Sequence, residues 1–92
     1  MSISVAVGDV IEFTAGISDV QAGRYVVRGF FEFPFGTQNV TLSRYGKREE
    51  LPTGAGATVY DDGMMLSDKV LQVPNAILLN AKKTGDHLML VK

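Results

Sequence analysis

The ten glycines of this chain are spread along its whole length and divide it into short apolar segments. Together with Asp, Asn and Pro they leave apolar runs of about four to ten residues between turn-forming positions. Runs of that length, joined by tight turns, are typical of β-strands. The 92 residues suffice for one domain with one core. The pattern therefore predicts a single all-β domain over residues 1–92.

The clearest predicted strand runs from Arg24 to Phe35. Large apolar residues share one parity in this segment, and charged residues share the other. The apolar set is Tyr25, Val27, Phe31, Phe33 and Phe35, and the charged set is Arg24, Arg28 and Glu32. Because successive side chains of a strand point to opposite faces, we expect one face in the core and the other largely in water.

Shorter alternating runs on both sides of this strand predict hairpins. Val10 to Thr14 and Asn39 to Ser43 each alternate apolar and polar residues. Tyr45-Gly46-Lys47 is expected to turn the chain into a strand at Arg48 to Leu51. Asp61-Asp62-Gly63, flanked by apolar residues, carries the Asp-Gly pair that favours a tight hairpin turn.

A short first strand, a long loop over residues 15–23, a long bent second strand and tight hairpins follow one another in this sequence. This order resembles the small SH3-like barrel. The resemblance covers the first two thirds of the chain and rests on no family motif. A compact β-sandwich of antiparallel hairpins is the alternative. Because barrels of this kind host many unrelated functions, the resemblance implies little about activity.

The segment from Asn75 to Lys83 fits two structures. Asn75 could cap a short helix that ends near Lys83, with Gly85 just beyond it. A helix of that length is marginal without tertiary support. We therefore favour a strand over residues 76–82, paired across a turn at residues 83–86 with a strand from His87 to Val91, and keep one short helix near 75–83 as the alternative.

Composition argues against several kinds of chemistry. The chain has no cysteine, which excludes disulfides, thiol catalysis and thiolate zinc sites. His87 is the only histidine, which excludes metal sites with two histidines. Gly54-Ala55-Gly56 matches no nucleotide-binding pattern. We predict no catalytic residue, no cofactor and no metal, and a non-enzymatic protein is favoured.

The amino-terminal residues predict the location of the protein. Met1 to Val10 has no basic segment and meets Asp9 before an apolar run reaches signal-peptide length. No apolar stretch elsewhere approaches the length of a membrane span. We expect a cytoplasmic protein that has no membrane partner.

Basic and aromatic residues on the long predicted strand, extended by those at the next hairpin if both fold onto the same side, suggest a nucleic-acid or anion face. Arginines interleaved with aromatic residues are typical of surfaces that bind single-stranded nucleic acid. The predicted face consists of Arg24, Arg28, Phe30, Arg44, Tyr45, Lys47 and Arg48. Against this, the net charge is −1, so the chain as a whole does not attract polyanions. The plainer interpretation is solvated arginines with Glu32, Glu49 and Glu50 as cross-strand partners.

The chain also has more large apolar residues than one face of a small sheet can hide. Ile77-Leu78-Leu79 and Leu88-Met89-Leu90 would place apolar side chains on both faces of a terminal hairpin. A second copy of the chain is the simplest cover, so we expect a homo-oligomer, and another protein partner is also compatible. The candidate self-association residues are Phe30, Ile77, Leu78, Leu79, Leu88, Met89 and Leu90.

These patterns lead to three functional hypotheses. The first is a non-enzymatic binding or assembly module, of the kind made by bacteria or phage, that self-associates through apolar strand surfaces. The second is a small β-barrel that binds nucleic acid. The third is a small-ligand binder or enzyme with its site at an oligomer interface or barrel mouth. Its candidate titratable groups are Asp61, Asp62, Asp86 and His87.

Overall fold

The computed structural model of the protein describes residues 5–17, 20–32, 34, 38–51, 54, 56–60 and 62–88. Its strands are β1 (Asp9–Phe13), β2 (Gly23–Glu32), β3 (Gln38–Gly46), β4 (Ala57–Val59), β5 (Met65–Pro74) and β6 (Ala81–His87). A first 3₁₀ helix (Arg48–Glu50) lies between β3 and β4, and a second (Asn75–Asn80) lies between β5 and β6. None of the helices in the described ranges is long and apolar enough to cross a membrane.

All six strands form one sheet in the order β4-β5-β3-β2-β1-β6, and every neighbouring pair is antiparallel. The predicted all-β class is confirmed. Within the described residues β4 and β6 do not pair, so the sheet is open and an SH3-like barrel is not confirmed. The alternative of a two-sheet sandwich is not confirmed either, because the strands belong to a single sheet.

A bulge in β2 changes the face on which its later residues lie. Val27 pairs with Leu42 and Gly29 pairs with Thr41, which leaves Arg28 as an extra residue. Beyond it, Phe30 lies opposite Val40 and Phe31 opposite Asn39. The prediction that Phe31 shares a face with Tyr25 and Val27 is therefore wrong, because one inserted residue reverses the alternation. Phe33 and Phe35 lie outside the described residues.

Two larger bulges each place three residues opposite one. Ser67 to Lys69 of β5 lie opposite Arg44, and Thr84 to Asp86 of β6 lie opposite Val10. In each bulge the hydroxyl of the first residue accepts a hydrogen bond from the backbone N–H of the third. The N···O distance is 3.1 Å from Lys69 to Ser67 in β5 and 3.2 Å from Asp86 to Thr84 in β6. The predicted turn at residues 83–86 is thus a bulge within β6, and β6 pairs with β1.

Each face of the sheet carries a buried cluster. The Tyr25 face, which Tyr25 shares with Arg44, carries the larger one. It contains Ile11, Phe13, Val20, Tyr25, Val27, Val40, Leu42, Val73, Ile77, Leu78 and Ala81. The Tyr45 face, which Tyr45 shares with Arg24, carries Val10, Val26, Tyr45 and Leu66. Val26 is fully buried, so the prediction that this face of β2 lies in water is wrong at this position.

The segment from Asn75 to Asn80 is a 3₁₀ helix, which corrects the preference for a strand over residues 76–82. Ile77 is 7% exposed and Leu78 1%, and both belong to the Tyr25-face cluster. This burial supplies the tertiary support that a short helix needs. Asn75 is the first helical residue rather than the cap. The strand predicted at Arg48 to Leu51 is also wrong, because Arg48–Glu50 is helical.

Candidate functional site

A cleft of about 470 Å³ opens between β2, β3, β5 and the first 3₁₀ helix. Leu42 and Leu71 pair across β3 and β5 and provide apolar surface within it. Charged and polar side chains complete the lining. The lining residues are Gln21, Tyr25, Leu42, Arg44, Glu49, Glu50, Leu51, Lys69, Val70 and Leu71. A cavity of this volume and mixed character is typical of sites that bind small ligands.

The guanidinium group of Arg44 is held in place by β2. Its Nη1 donates to the Tyr25 hydroxyl oxygen at 2.9 Å, and its Cζ lies 5.2 Å from the centroid of the Tyr25 ring. The Tyr25 hydroxyl donates in turn to the Gln21 carbonyl oxygen at 2.9 Å. Nη2 lies against Gly23, where an added Cβ would stand only 2.6 Å from it. The chain therefore fixes this guanidinium before any ligand arrives.

Arg44 is nevertheless incompletely paired. Its Nε is buried and has no hydrogen-bond partner in the part of the chain that the structure describes. None of the ion pairs between described residues includes Arg44. A guanidinium presents five N–H donors, and a carboxylate or phosphate is the acceptor that matches its fork. Arg44 is thus suited to an anionic group from outside the chain.

The cleft also contains a second cation and two carboxylates. Lys69 lies in the β5 bulge opposite Arg44, and Glu49 and Glu50 come from the first 3₁₀ helix. Glu50 Oε2 accepts the Lys47 backbone N–H at 2.7 Å and lies 3.6 Å from Arg24 Nη2. Glu50 is therefore held by its own chain, and among the described lining residues the formal charges cancel.

The structure distributes the residues of the predicted nucleic-acid face over both sides of the sheet. Arg24 and Tyr45 share the Tyr45 face, with the Arg24 Cζ 5.9 Å from the Tyr45 ring centroid. Arg28 Nη1 donates to Ser43 Oγ at 3.4 Å on the same face. Arg44 and Phe30 lie on the Tyr25 face. Lys47 is exposed just before the first 3₁₀ helix, and Arg48 is exposed at its start.

Tyr45 is too buried to act as a stacking platform. It belongs to the Tyr45-face cluster, and its ring packs against Tyr60 with the centroids 6.4 Å apart. Burial raises the pKa of its hydroxyl above the ordinary value, and the nearby Asp62 carboxylate adds to the shift. The residue stays neutral at physiological pH and is part of the core.

The candidate self-association residues also separate by burial. Phe30 is 49% exposed and Leu79 52% exposed. Ile77 and Leu78 are buried in the Tyr25-face cluster, so they offer no surface to a second chain. Leu88 packs against the Tyr45-face cluster. Met89 and Leu90 lie outside the described residues.

A second polar cluster joins β1 to β6 away from the cleft. Asp9 Oδ1 lies 2.9 Å from His87 Nδ1, and Asp9 Oδ2 accepts the Ala6 backbone N–H at 2.9 Å and lies 3.5 Å from Lys83 Nζ. The Ala6 hydrogen bond and then the His87 contact hold the pKa of Asp9 below its ordinary value. No local sequence pattern indicates this cluster, because Asp9 and His87 are 78 positions apart.

The three described titratable candidates, Asp62, Asp86 and His87, do not line the cleft. His87 contacts Asp9, Asp86 lies in the β6 bulge, and Asp62 Oδ1 accepts the Met64 N–H at 2.9 Å in the turn before β5. Asp61 lies outside the described residues. Two charged residues of the lining, Lys69 and Glu49, lie in a bulge and in a 3₁₀ helix that strand alternation did not predict.

In the described ranges no group of three or more His, Cys, Asp or Glu residues could hold a metal ion. Comparison of the chain with protein-family models, with curated proteins and with solved structures gives no significant match. The geometry of the cleft is therefore the basis for a functional proposal.

Proposed function

We propose that this chain is a non-enzymatic binding module that holds the anionic group of a ligand in the cleft at Arg44. One observation carries the proposal: Tyr25 and Gly23 fix the Arg44 guanidinium at the cleft, and no carboxylate of the described chain pairs with it. Arginine is the side chain best matched to bidentate recognition of carboxylate and phosphate groups.

The surroundings of Arg44 favour binding for two further reasons. The side chain is already ordered, so a ligand does not bear the entropic cost of fixing a long rotamer. The apolar surface of Leu42 and Leu71 can cover the body of a ligand whose anionic group reaches Arg44. A small ligand is the class that fits a cleft of this size.

The test is a titration of ¹⁵N-labelled protein with N-acetyl-L-leucine, a singly charged carboxylate with an apolar body. We expect saturable shifts of the Tyr25, Leu42 and Arg44 amide signals, with a dissociation constant on the order of 1 mM for so small a probe. Arg44→Gln should abolish these shifts. Arg48→Gln removes a neighbouring arginine that does not line the cleft and should leave them unchanged.

Two outcomes would overturn this proposal. One is the absence of saturable shifts at the cleft amides while the protein remains folded. The other is equal binding by Arg44→Gln and the unmodified chain, which would place the anion elsewhere.

Self-association is the second candidate, and the exposure of two large apolar side chains favours it. Phe30 and Leu79 are each about half exposed, which leaves apolar surface that a second copy could cover. The test is the molar mass from size-exclusion chromatography with light scattering, at low and high salt. A dimer or larger species at both salts that dissociates in Phe30→Thr supports self-association, and a monomer at both salts rejects it.

The nucleic-acid alternative receives less support from the geometry. Its arginines lie on opposite faces of the sheet, and Arg24 pairs with Glu50. A single strand could not contact Arg24 and Arg44 on one surface. The cytoplasmic location and the bacterial or phage source stay predictions.

A further inference from the structure

We infer that the ligand of the Arg44 cleft is zwitterionic, with a carboxylate and an ammonium group on an apolar body. This inference rests on the proposed binding function and adds the chemical class of the ligand. Two observations lead to it. The described charged residues of the lining balance, and one of the two carboxylates, Glu50, already pairs with other residues of the chain.

The cationic side of the cleft would receive the carboxylate. Arg44 is fixed by the Tyr25 hydroxyl, and Lys69 lies opposite it in the β5 bulge. Together they place two positive charges at the junction of β3 and β5. A carboxylate that pairs with the guanidinium fork can also lie within reach of an ammonium on a flexible stem.

The acidic side of the cleft would receive the ammonium group. Glu50 is engaged by Arg24 and by the Lys47 N–H, whereas no hydrogen bond or ion pair joins Glu49 to another residue in the described ranges. Glu49 is therefore the carboxylate that can accept a positive group from the ligand. The same two carboxylates repel a second negative charge, which disfavours phosphate and polyanions.

The lining of the cleft also contains apolar residues. Leu42, Leu51 and Leu71 contribute aliphatic surface to the cleft. A ligand with both charges on an aliphatic body satisfies all three kinds of surface. A free amino acid and a short peptide share this chemistry.

Four related probes test the inference by the same amide titration. L-Leucine carries both charges, N-acetyl-L-leucine only the carboxylate and L-leucinamide only the ammonium group. We expect L-leucine to bind at least about tenfold more tightly than either singly charged probe, the increment of one charged hydrogen-bonded contact. L-Leucyl-L-leucine separates the two sources, because tighter binding of the dipeptide than of leucine assigns a peptide and the reverse assigns an amino acid.

A pair of variants identifies the acidic contact. Glu49→Gln should bring the affinity for L-leucine down to that for N-acetyl-L-leucine. Glu32→Gln removes an exposed carboxylate at the far end of β2 and should preserve the difference. Arg44→Gln should weaken binding of both probes.

The failure of this inference is distinct from the failure of the proposed function. If N-acetyl-L-leucine binds at the cleft as tightly as L-leucine, or if Glu49→Gln preserves the preference for L-leucine, the inference is overturned and the anion site stands. If none of the carboxylate probes shifts the cleft amides, the binding function itself is overturned.

Discussion

The Tyr25 hydroxyl connects the core of the sheet to the cleft. Its ring packs in the Tyr25-face cluster and meets Phe13 edge-on, with the centroids 5.7 Å apart. Its oxygen accepts from Arg44 Nη1 and donates to the Gln21 carbonyl oxygen. The Tyr25 side chain therefore contacts the core through its ring and holds Gln21 and Arg44 through its oxygen. Substitutions can separate the contribution of the ring from that of the oxygen.

Tyr25→Phe removes the oxygen and keeps the ring. We expect the free energy of unfolding to fall by about 1 kcal/mol, the usual net value of a part-exposed hydrogen bond. Binding of N-acetyl-L-leucine should weaken, since Arg44 loses its support. Urea denaturation and the amide titration measure the two effects. Tyr60→Phe, at a hydroxyl that makes no hydrogen bond to a described residue, is the control, and an equal effect of both variants would contradict the anchoring role.

Gly23 permits the close approach of Arg44. It has a φ of +138°, and a Cβ there would meet the guanidinium. Gly63 also has a positive φ, +85°, but no atom within 4 Å of an added Cβ. We expect Gly23→Ala to lower the free energy of unfolding by about 2 kcal/mol, because the guanidinium must move away from the Tyr25 hydroxyl, and Gly63→Ala by about 1 kcal/mol. Equal losses in urea denaturation would show that Arg44 does not press on Gly23.

Sequence patterns correctly identify Arg44 as a candidate site residue but group it with Arg24, which lies on the other face of the sheet. The predicted nucleic-acid face requires that Arg44, at the hairpin after Ser43, folds onto the same side of the sheet as Arg24. The register between β2 and β3 pairs Arg24 with Tyr45 and Tyr25 with Arg44, which puts the two arginines on opposite faces. Register follows from the packing of both strands, so residue types along one strand could not reveal it.

The bulges explain which parts of the strands were predictable. Alternation correctly marked Tyr25 and Val27 as core residues, since they precede the bulge at Arg28. It failed at Phe31, which follows the bulge. The two larger bulges share a local signal, because each begins with Ser67 or Thr84 and that hydroxyl accepts the N–H two residues later. Such a signal is too common in loops to identify a bulge by itself.

Thr84 stabilises the β6 bulge through both roles of its hydroxyl. It donates to the Val10 carbonyl oxygen at 3.1 Å and accepts from the Asp86 N–H. Thr84→Val keeps the branched shape, and we expect it to lower the free energy of unfolding by about 1 to 2 kcal/mol. Thr58→Val on the exposed β4 is the control and should change it little. Similar values for both variants in urea denaturation would show that the hydroxyl does not support the bulge.

Asp9 links β1 to β6 in a way that depends on pH. Because its pKa is lowered in the folded chain from the ordinary 3.8, its contribution is complete above the unfolded pKa and is lost as pH falls through the folded one. Asp9→Asn should therefore lower the free energy of unfolding by about 1 kcal/mol at pH 7.

The same substitution should have a smaller effect in acid, because protonation of Asp9 removes the contribution of its charge. Urea denaturation at pH 7 and at about pH 2 measures the change. Glu32→Gln, at an exposed carboxylate, is the control for a general loss of charge. A loss that is as large at the lower pH would show that the Asp9 charge is not its source.

Across the whole molecule, apolar material is divided between the two faces of one open sheet. Chain length predicted one core, and turn spacing predicted the all-β class. The division of apolar residues between the two faces could not be predicted from the sequence, because it depends on which segments cover each face. The second 3₁₀ helix contributes Ile77 and Leu78 to the Tyr25 face, while Tyr60, Met64 and Leu88 pack on the Tyr45 face. These covering residues lie far in sequence from β1 and β2, whose faces they cover.

The order of the strands predicts how the molecule opens. β3 pairs with a neighbour on each side, whereas β4 has three residues and lies at the edge of the sheet. We expect amide hydrogen exchange to be slowest in β2 and β3 and fastest in β4, since edge strands open without disturbing either cluster. Exchange measured by NMR in D₂O at two protein concentrations tests this order. Protection of the β4 amides that rises with concentration to the level of β3 would contradict it, because only a second chain pairing with this edge could supply the missing hydrogen bonds.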